Sequence, residues 1–152
     1  MLVAENCVFC KKEFRKAVFS ESENFVVAYN IAPILPGHSL VLPKDHYESL
    51  LDLPASQYQE MMSFCVSTVS SLMKIFNADG FDLSIQDGKS AGQTIAHLHI
   101  HLIPRSTNDL NSPGEWYPEL LQSNQANIDS DSRQRISAEE LDKVVDYLKK
   151  KI

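Results

Sequence analysis

Between Ala96 and Pro104 the chain reads Ala-His-Leu-His-Ile-His-Leu-Ile-Pro, with histidines and aliphatic residues alternating without a break. A period of two belongs to an extended strand, whose successive side chains leave on opposite faces; a helix would scatter both sets around its circumference. A strand over 96–104 puts His97, His99 and His101 on one face and Leu98, Ile100 and Leu102 on the other. The aliphatic face requires a core and the histidine face a chemical task. Same-face residues on a strand stand about 6.5–7 Å apart, so three imidazoles can reach different atoms of one extended ligand. Three other readings compete, three structural histidines, a three-histidine zinc platform and a chance cluster.

The remaining pattern builds a sheet and helices around that strand. Phe25–Tyr29 is rich in β-formers, Pro33 and Pro36-Gly37 mark a turn, and 38–42 alternates up to Pro43. Tyr58, Met62, Cys65, Val69, Leu72 and Phe76 recur at helical spacing, predicting a helix over 55–76 with Asp52 as N-cap, Pro54 in its first turn and Cys65 in the core. Phe81–Gln86 alternates as another strand before an Asp87-Gly88 turn, and Lys11–Lys16 reads as a solvated basic turn. Ser137-Ala-Glu-Glu is a capping box that opens an amphipathic helix through Leu148, with Lys149–Lys151 at its negative end. Strands and helices without regular alternation indicate an α+β fold with a mainly antiparallel sheet. With 152 residues, one domain over 1–152 is expected: an N-terminal segment at 1–23, and at 106–152 a C-terminal loop, running to 136, and helix.

Charge and cysteine usage exclude several classes of partner. Fourteen basic against 20 acidic side chains give a net charge of −6, which argues against binding a nucleic-acid backbone. No stretch is apolar enough to predict a membrane span. Three cysteines, an odd number, and an N-terminus without a basic-then-apolar leader predict a reducing compartment, the cytoplasm. Cys7-Val-Phe-Cys10 on its own reads equally as a metal pair, a redox pair or an accident.

Upstream of the histidines, Gln86-Asp-Gly-Lys-Ser-Ala-Gly-Gln-Thr94 carries two glycines that permit close backbone approach to an anion. Gln93 and Thr94 add amide and hydroxyl donors for a ligand that the histidines engage.

With these residues in view, His97-Leu-His-Ile-His-Leu-Ile resembles the motif of the histidine triad superfamily of nucleotide hydrolases and transferases. Gln86-Asp-Gly, Ala91-Gly-Gln-Thr and Pro104-Arg105 are similar to the fragile histidine triad branch, whose members hydrolyse dinucleoside polyphosphates such as diadenosine triphosphate. The likeness runs from about Phe25 to Tyr117, including Tyr29-Asn30, Pro36-Gly-His38 and Tyr117-Pro-Glu-Leu. It implies a five-stranded antiparallel sheet with a long helix, a homodimer, and cleavage of a phosphoanhydride through a nucleotidyl-histidine. In that scheme the catalytic group is His97, His99, His101 and Gln93. His99 is the nucleophile, His101 and Gln93 hold phosphate oxygens, and Gln86 lies near the phosphates. Asn30 binds the ribose, Leu40 faces the base, and His38 supports the triad or is simply a buried structural residue. A phosphoramidase or adenylyl-amino acid hydrolase using the same nucleophile is the nearest alternative. A nucleotide-binding signalling module or zinc-stabilised interaction module with little turnover is the alternative of another class.

The cysteine pair and His46 depart from that branch. Some triad proteins and galactose-1-phosphate uridylyltransferases resemble this chain in combining such a pair with two histidines, implying that Cys7, Cys10, His46 and His97 hold a structural zinc. A Cys₂His₂ set leaves no open coordination position, and two thiolates neutralise the ion. The 1–23 segment then becomes a zinc segment tied to the triad strand.

Overall fold

The computed structural model describes residues 4–110 and 133–152. Five strands pair antiparallel: β1 (Val18–Glu21), β2 (Phe25–Tyr29), β3 (Ser39–Pro43), β4 (Gly80–Ser84) and β5 (Ile100–Arg105), in the spatial order β1-β2-β3-β5-β4. Helix α1 spans Tyr58–Ile75 and α2 spans Ala138–Lys149. The α+β class, the antiparallel sheet and the two helices all match the expectation. No helix among the described residues is long and apolar enough to cross a membrane.

Register explains how the sheet separates core from chemistry. Directly opposed residues share a face, and the rungs Val18↔Ala28, Ala28↔Leu40, Leu40↔His101 and His101↔Ser84 run across all five strands. The neighbouring set, Val27↔Val41, Val41↔Ile100 and Leu102↔Leu83, points the other way. This second face carries the main core, where Phe25, Val27, Val41, Ile100 and Leu102 pack with Cys65, Val69 and Leu72 of α1. The first face carries a smaller cluster of Val18, Val26, Ala28, Leu40 and Leu42, covered by Phe9, Phe14 and Leu141.

Several local expectations are corrected. Strand β1 was hidden by its four-residue length, too short for alternation to stand out after the charged 11–16 stretch. That stretch is not simply a solvated turn: Lys12–Ala17 forms a 3₁₀ segment that directs Phe14 onto the sheet. Helix α1 starts at Tyr58, and Asp52 does not cap it. Leu53 is extended and buried in the core, which separates a turn at Leu50–Asp52, capped by Ser49, from a second at Ala55–Gln57. The buried stripe of α1 runs through Met61, Cys65, Thr68, Val69 and Leu72; Tyr58 and Met62 are 38% and 43% exposed. Adjacent methionines are interchangeable by spacing, and packing selects Met61. Phe81 is exposed because β4 is an edge strand.

Cys65 has no exposed surface, and burial pushes its thiol up to about 12, so it is an inert core residue. Ser137 caps α2 as expected, with Ser137 Oγ accepting from Glu140 N and the Glu140 carboxylate accepting from Ser137 N. Most of the loop expected over 106–136, including Trp116 and Tyr117, lies outside the described residues.

Candidate active site and metal cluster

Strand pairing on β5 begins at Ile100, later than the expected 96–104. His97 lies on a bend, and Leu98 N donates to Tyr47 O at 2.6 Å instead of joining the ladder. The alternation still holds in space: Leu98, Ile100 and Leu102 join the main core, while all three histidines are at most 2% exposed beneath a covered face. Adjacent rings are close, with His99 and His101 centroids 5.1 Å apart.

Hydrogen-bond bookkeeping assigns the tautomers. His99 Nδ1 lies 2.7 Å from His97 O; a carbonyl only accepts, so Nδ1 carries the hydrogen and Nε2 the lone pair. Ile34 N donates to His38 Nδ1 at 3.1 Å, so His38 carries its hydrogen on Nε2 and gives it to His101 Nδ1 at 2.8 Å. His101 is therefore an Nε2–H donor when neutral. Asn30 Oδ1 accepts from Ala32 N, which turns Nδ2 toward His38 Nε2 at 3.3 Å; both nitrogens carry hydrogen, so this is a contact rather than a bond. Gly37 shapes the approach to His38. It sits at φ +87°, and a Cβ there would lie 2.8 Å from the Phe76 ring and 2.9 Å from Pro104 Cγ.

His97 faces a different cluster of side chains. Its Nε2 donates to Pro43 O at 3.1 Å, leaving the Nδ1 lone pair aimed at Cys7 Sγ (3.4 Å), Cys10 Sγ (3.7 Å) and His46 Nδ1 (3.3 Å). Cys10 Sγ stands 3.6 Å from His46 Nδ1, and the four ligand atoms lie within 4.8 Å of one another. Metal bonds of about 2.3 Å to sulfur and about 2.0–2.1 Å to nitrogen set tetrahedral ligand atoms about 3.3–3.8 Å apart, which these separations match. Two thiols and two imidazoles gathered this closely are a donor set that suits a structural metal. His46 Nε2 faces Glu48 Oε1 at 3.7 Å, so each histidine has an oxygen behind its outer nitrogen. Burial lowers His97 to about 4, keeping it neutral at pH 7 as ligation requires; it also raises the Cys7 thiol, a cost that a bound cation would offset.

A cavity of about 720 Å³ opens beside His101, lined also by Tyr29, Asn30, Leu40 and Thr94. Of the expected donors, Gln86 donates from Nε2 to Ser84 Oγ at 2.7 Å, on the strand flanking His101, while its buried Oε1 has no partner among the described residues. Gln93 is turned elsewhere: Oε1 accepts from Gly88 N and Nε2 donates to Glu48 O, both at 2.8 Å.

Four residues that sequence reasoning passed over also belong here. Phe9, between the two cysteines, stands edge-on to His97 and His99 at centroid distances of 5.7 and 5.3 Å. Its position in Cys-Val-Phe-Cys was the available signal. Glu48 stands behind His46, and Arg133 and Arg135 line the cavity. Nothing local marks the arginines, since the contact that places them spans about a hundred residues.

Comparison with known proteins gives consistent matches. The family model described as HIT domain matches residues 11–108. A Dictyostelium discoideum protein named bis(5'-adenosyl)-triphosphatase is 37% identical over 103 residues, 68% of this chain and 69% of its own length. A Schizosaccharomyces pombe bis(5'-nucleosyl)-tetraphosphatase [asymmetrical] is 34% identical over 122 residues, 80% of this chain and 66% of its own length. The crystal structure of a Zn-bound histidine triad family protein from Mycobacterium smegmatis matches with a TM-score of 0.68 at 27% identity, covering 95% of this chain and 94% of that one. The chain thus spans about two thirds of the length of these two curated relatives.

Proposed function

The chain belongs to the HIT domain family, and from that premise we propose that it hydrolyses a phosphoanhydride of dinucleoside polyphosphates, with His99 as nucleophile. The observation that carries this is the 2.7 Å bond from His99 Nδ1 to the His97 carbonyl, which leaves a nucleophilic lone pair on Nε2. As Nε2 bonds to the α-phosphorus, the P–O bond to the leaving nucleotide breaks with its electron pair on that oxygen. The positive charge that develops on the ring is stabilised by the same carbonyl. His101 Nε2–H donates to a phosphoryl oxygen, its orientation maintained by His38. Water then displaces His99 and loses a proton, giving the mononucleotide and restoring the neutral ring.

Asn30 and Leu40 are assigned to the ribose and base, and Gln86, with its unpartnered Oε1 and its Nε2, to the phosphate region with Thr94. Gln93 reaches a phosphate by exchanging its Glu48 bond for the ligand. Zinc is proposed at Cys7, Cys10, His46 and His97; it would supply a structural cross-link between the N-terminal segment and the triad. A homodimer is proposed on the exposed Met62 and Val66 of α1 and the outer edge of β4 with Phe81 exposed. Cytoplasmic location is proposed from three cysteines without a disulfide.

The test is single-turnover cleavage of diadenosine triphosphate with acid-labile adenylyl-histidine trapped on the protein and mapped by mass spectrometry. Adenylate on His99, absent in His99→Ala, is expected. Turnover with label on no histidine overturns the mechanism, and faster turnover of an adenosine phosphoramidate than of the dinucleotide overturns the substrate class.

A further inference from the structure

The cavity beside His101 is lined by two arginines that the proposed chemistry does not use, Arg133 and Arg135. Their position is set by pairing between the segment before α2 and the turn after β2. Ile136 N donates to Ile31 O at 2.9 Å, and Arg133 Nε donates to Ala32 O at 2.7 Å. Asn30 Oδ1 accepts from Ala32 N at 2.9 Å, so the Arg133 guanidinium is fastened to the same turn that presents Asn30. Arg135 is exposed, and no carboxylate among the described residues pairs with it. In a chain of net charge −6, the described lining of this cavity carries as many cations as anions, two of each. Glu13 and Glu48 also line the cavity; Glu48 faces His46, a metal-cluster residue.

We propose that Arg133 and Arg135 form a second anion subsite, which recognises a phosphate carried on the ribose of the bound nucleotide. The inference rests on the nucleotide reading above, in which Asn30 meets the ribose. A guanidinium anchored two residues from Asn30 stands at the sugar, whereas His99 and His101 mark the 5'-phosphate. Guanidinium matches phosphate oxygens with paired donors, and part-burial of Arg133 reduces the screening of its charge. The preferred substrates are then 5'-nucleotidyl anhydrides with a further phosphate at the 2' or 3' position.

Calorimetric titration with 5'-AMP, adenosine 2',5'-bisphosphate, adenosine 3',5'-bisphosphate and adenosine 5'-(α,β-methylene)diphosphate tests this without turnover. At least one bisphosphate is expected to bind about tenfold tighter than AMP, as hydrogen bonds to a charged group imply. That ratio should fall toward one in Arg135→Ala, persist in part in Arg135→Lys, and shrink as salt rises. Bisphosphates no tighter than AMP, or an advantage unchanged in Arg135→Ala, overturn the subsite. An Arg135-dependent advantage confined to the methylene diphosphate places the arginines on the phosphate chain and overturns the ribose assignment. Failure of AMP itself to bind overturns the nucleotide reading and the subsite with it, a result distinct from the others.

Discussion

His97 and His99 are two residues apart on one face of the same segment, yet they present opposite nitrogens. His97 gives Nε2 to the Pro43 carbonyl and turns Nδ1 to the cysteines. His99 gives Nδ1 to the His97 carbonyl, which leaves its Nε2 lone pair. The residue type is the same; the backbone oxygen that each ring meets decides which nitrogen keeps the lone pair. In the proposed scheme that choice separates a ligand for a metal from a nucleophile for phosphorus, so one segment can serve a structural site and a reactive site without the two competing for a ring.

Under this division, substitutions on the two sides move different observables. The largest effect is on turnover: His99→Ala should lose about 10⁴-fold or more in kcat, as for removal of a nucleophile elsewhere, while metal content per chain stays unchanged. Cys10→Ala should show the converse. It should release the metal and lower stability by about 3 kcal/mol or more, measured by elemental analysis and chemical denaturation. Metal loss in His99→Ala, or full metal content in Cys10→Ala, would break the comparison.

Much of this division was legible before the structure, and what was missed has a common cause. The triad alternation, the antiparallel sheet and the Ser137 capping box are local periodicities, so they show in a short window. Cys7, Cys10, His46 and His97 were joined only through a family resemblance, because 36 residues separate Cys10 from His46 and 51 separate His46 from His97. Met61 rather than Met62 and the short strand β1 were decided by packing against distant elements. The two arginines were invisible as site residues for the same reason, being placed by a contact with a remote part of the chain, whereas Phe9 was signalled only by its position between the two cysteines. Gln93 is the instructive case. Its position in the motif was readable, but its bond to Glu48, 45 residues away, depends on how two loops meet.

A pH titration sharpens the metal side of the comparison. Burial, reinforced by His46 and His99, lowers His97 to about 4 from an ordinary value of 6.5. Above about pH 6.5 the ring is neutral folded or unfolded and contributes no slope. As pH falls from there toward 4, the unfolded chain takes up a proton that the folded chain refuses, so stability declines through this window and levels off below it. The size for metal-stripped protein is about 3 kcal/mol at most, read by urea denaturation across the range. Protons also compete with metal for Nδ1, so the loaded protein should lose its ion in the same direction. A His97→Gln variant that keeps the full decline would assign it to other groups.

The smallest expected effect probes the reactive side through a residue placed away from phosphorus. His38 accepts from Ile34 N at Nδ1 and donates from Nε2 to His101 Nδ1, so it acts by fixing which nitrogen of His101 carries the hydrogen. His38→Leu fills much of the same buried space but cannot donate, and His101 is then open to the other tautomer. Loss of the bond that orients a metal-bound histidine typically costs about 10–100-fold in activity, and a loss of that order is expected here. His38→Gln retains an N–H on a side chain of suitable length, so it should recover part of the loss. If His38 is only a packing residue, the two variants will follow their stabilities instead: the apolar Leu in a fully buried position should then outperform Gln. A kcat for Gln above that for Leu, with Gln no more stable by denaturation, therefore identifies the hydrogen bond rather than the volume as what His38 contributes.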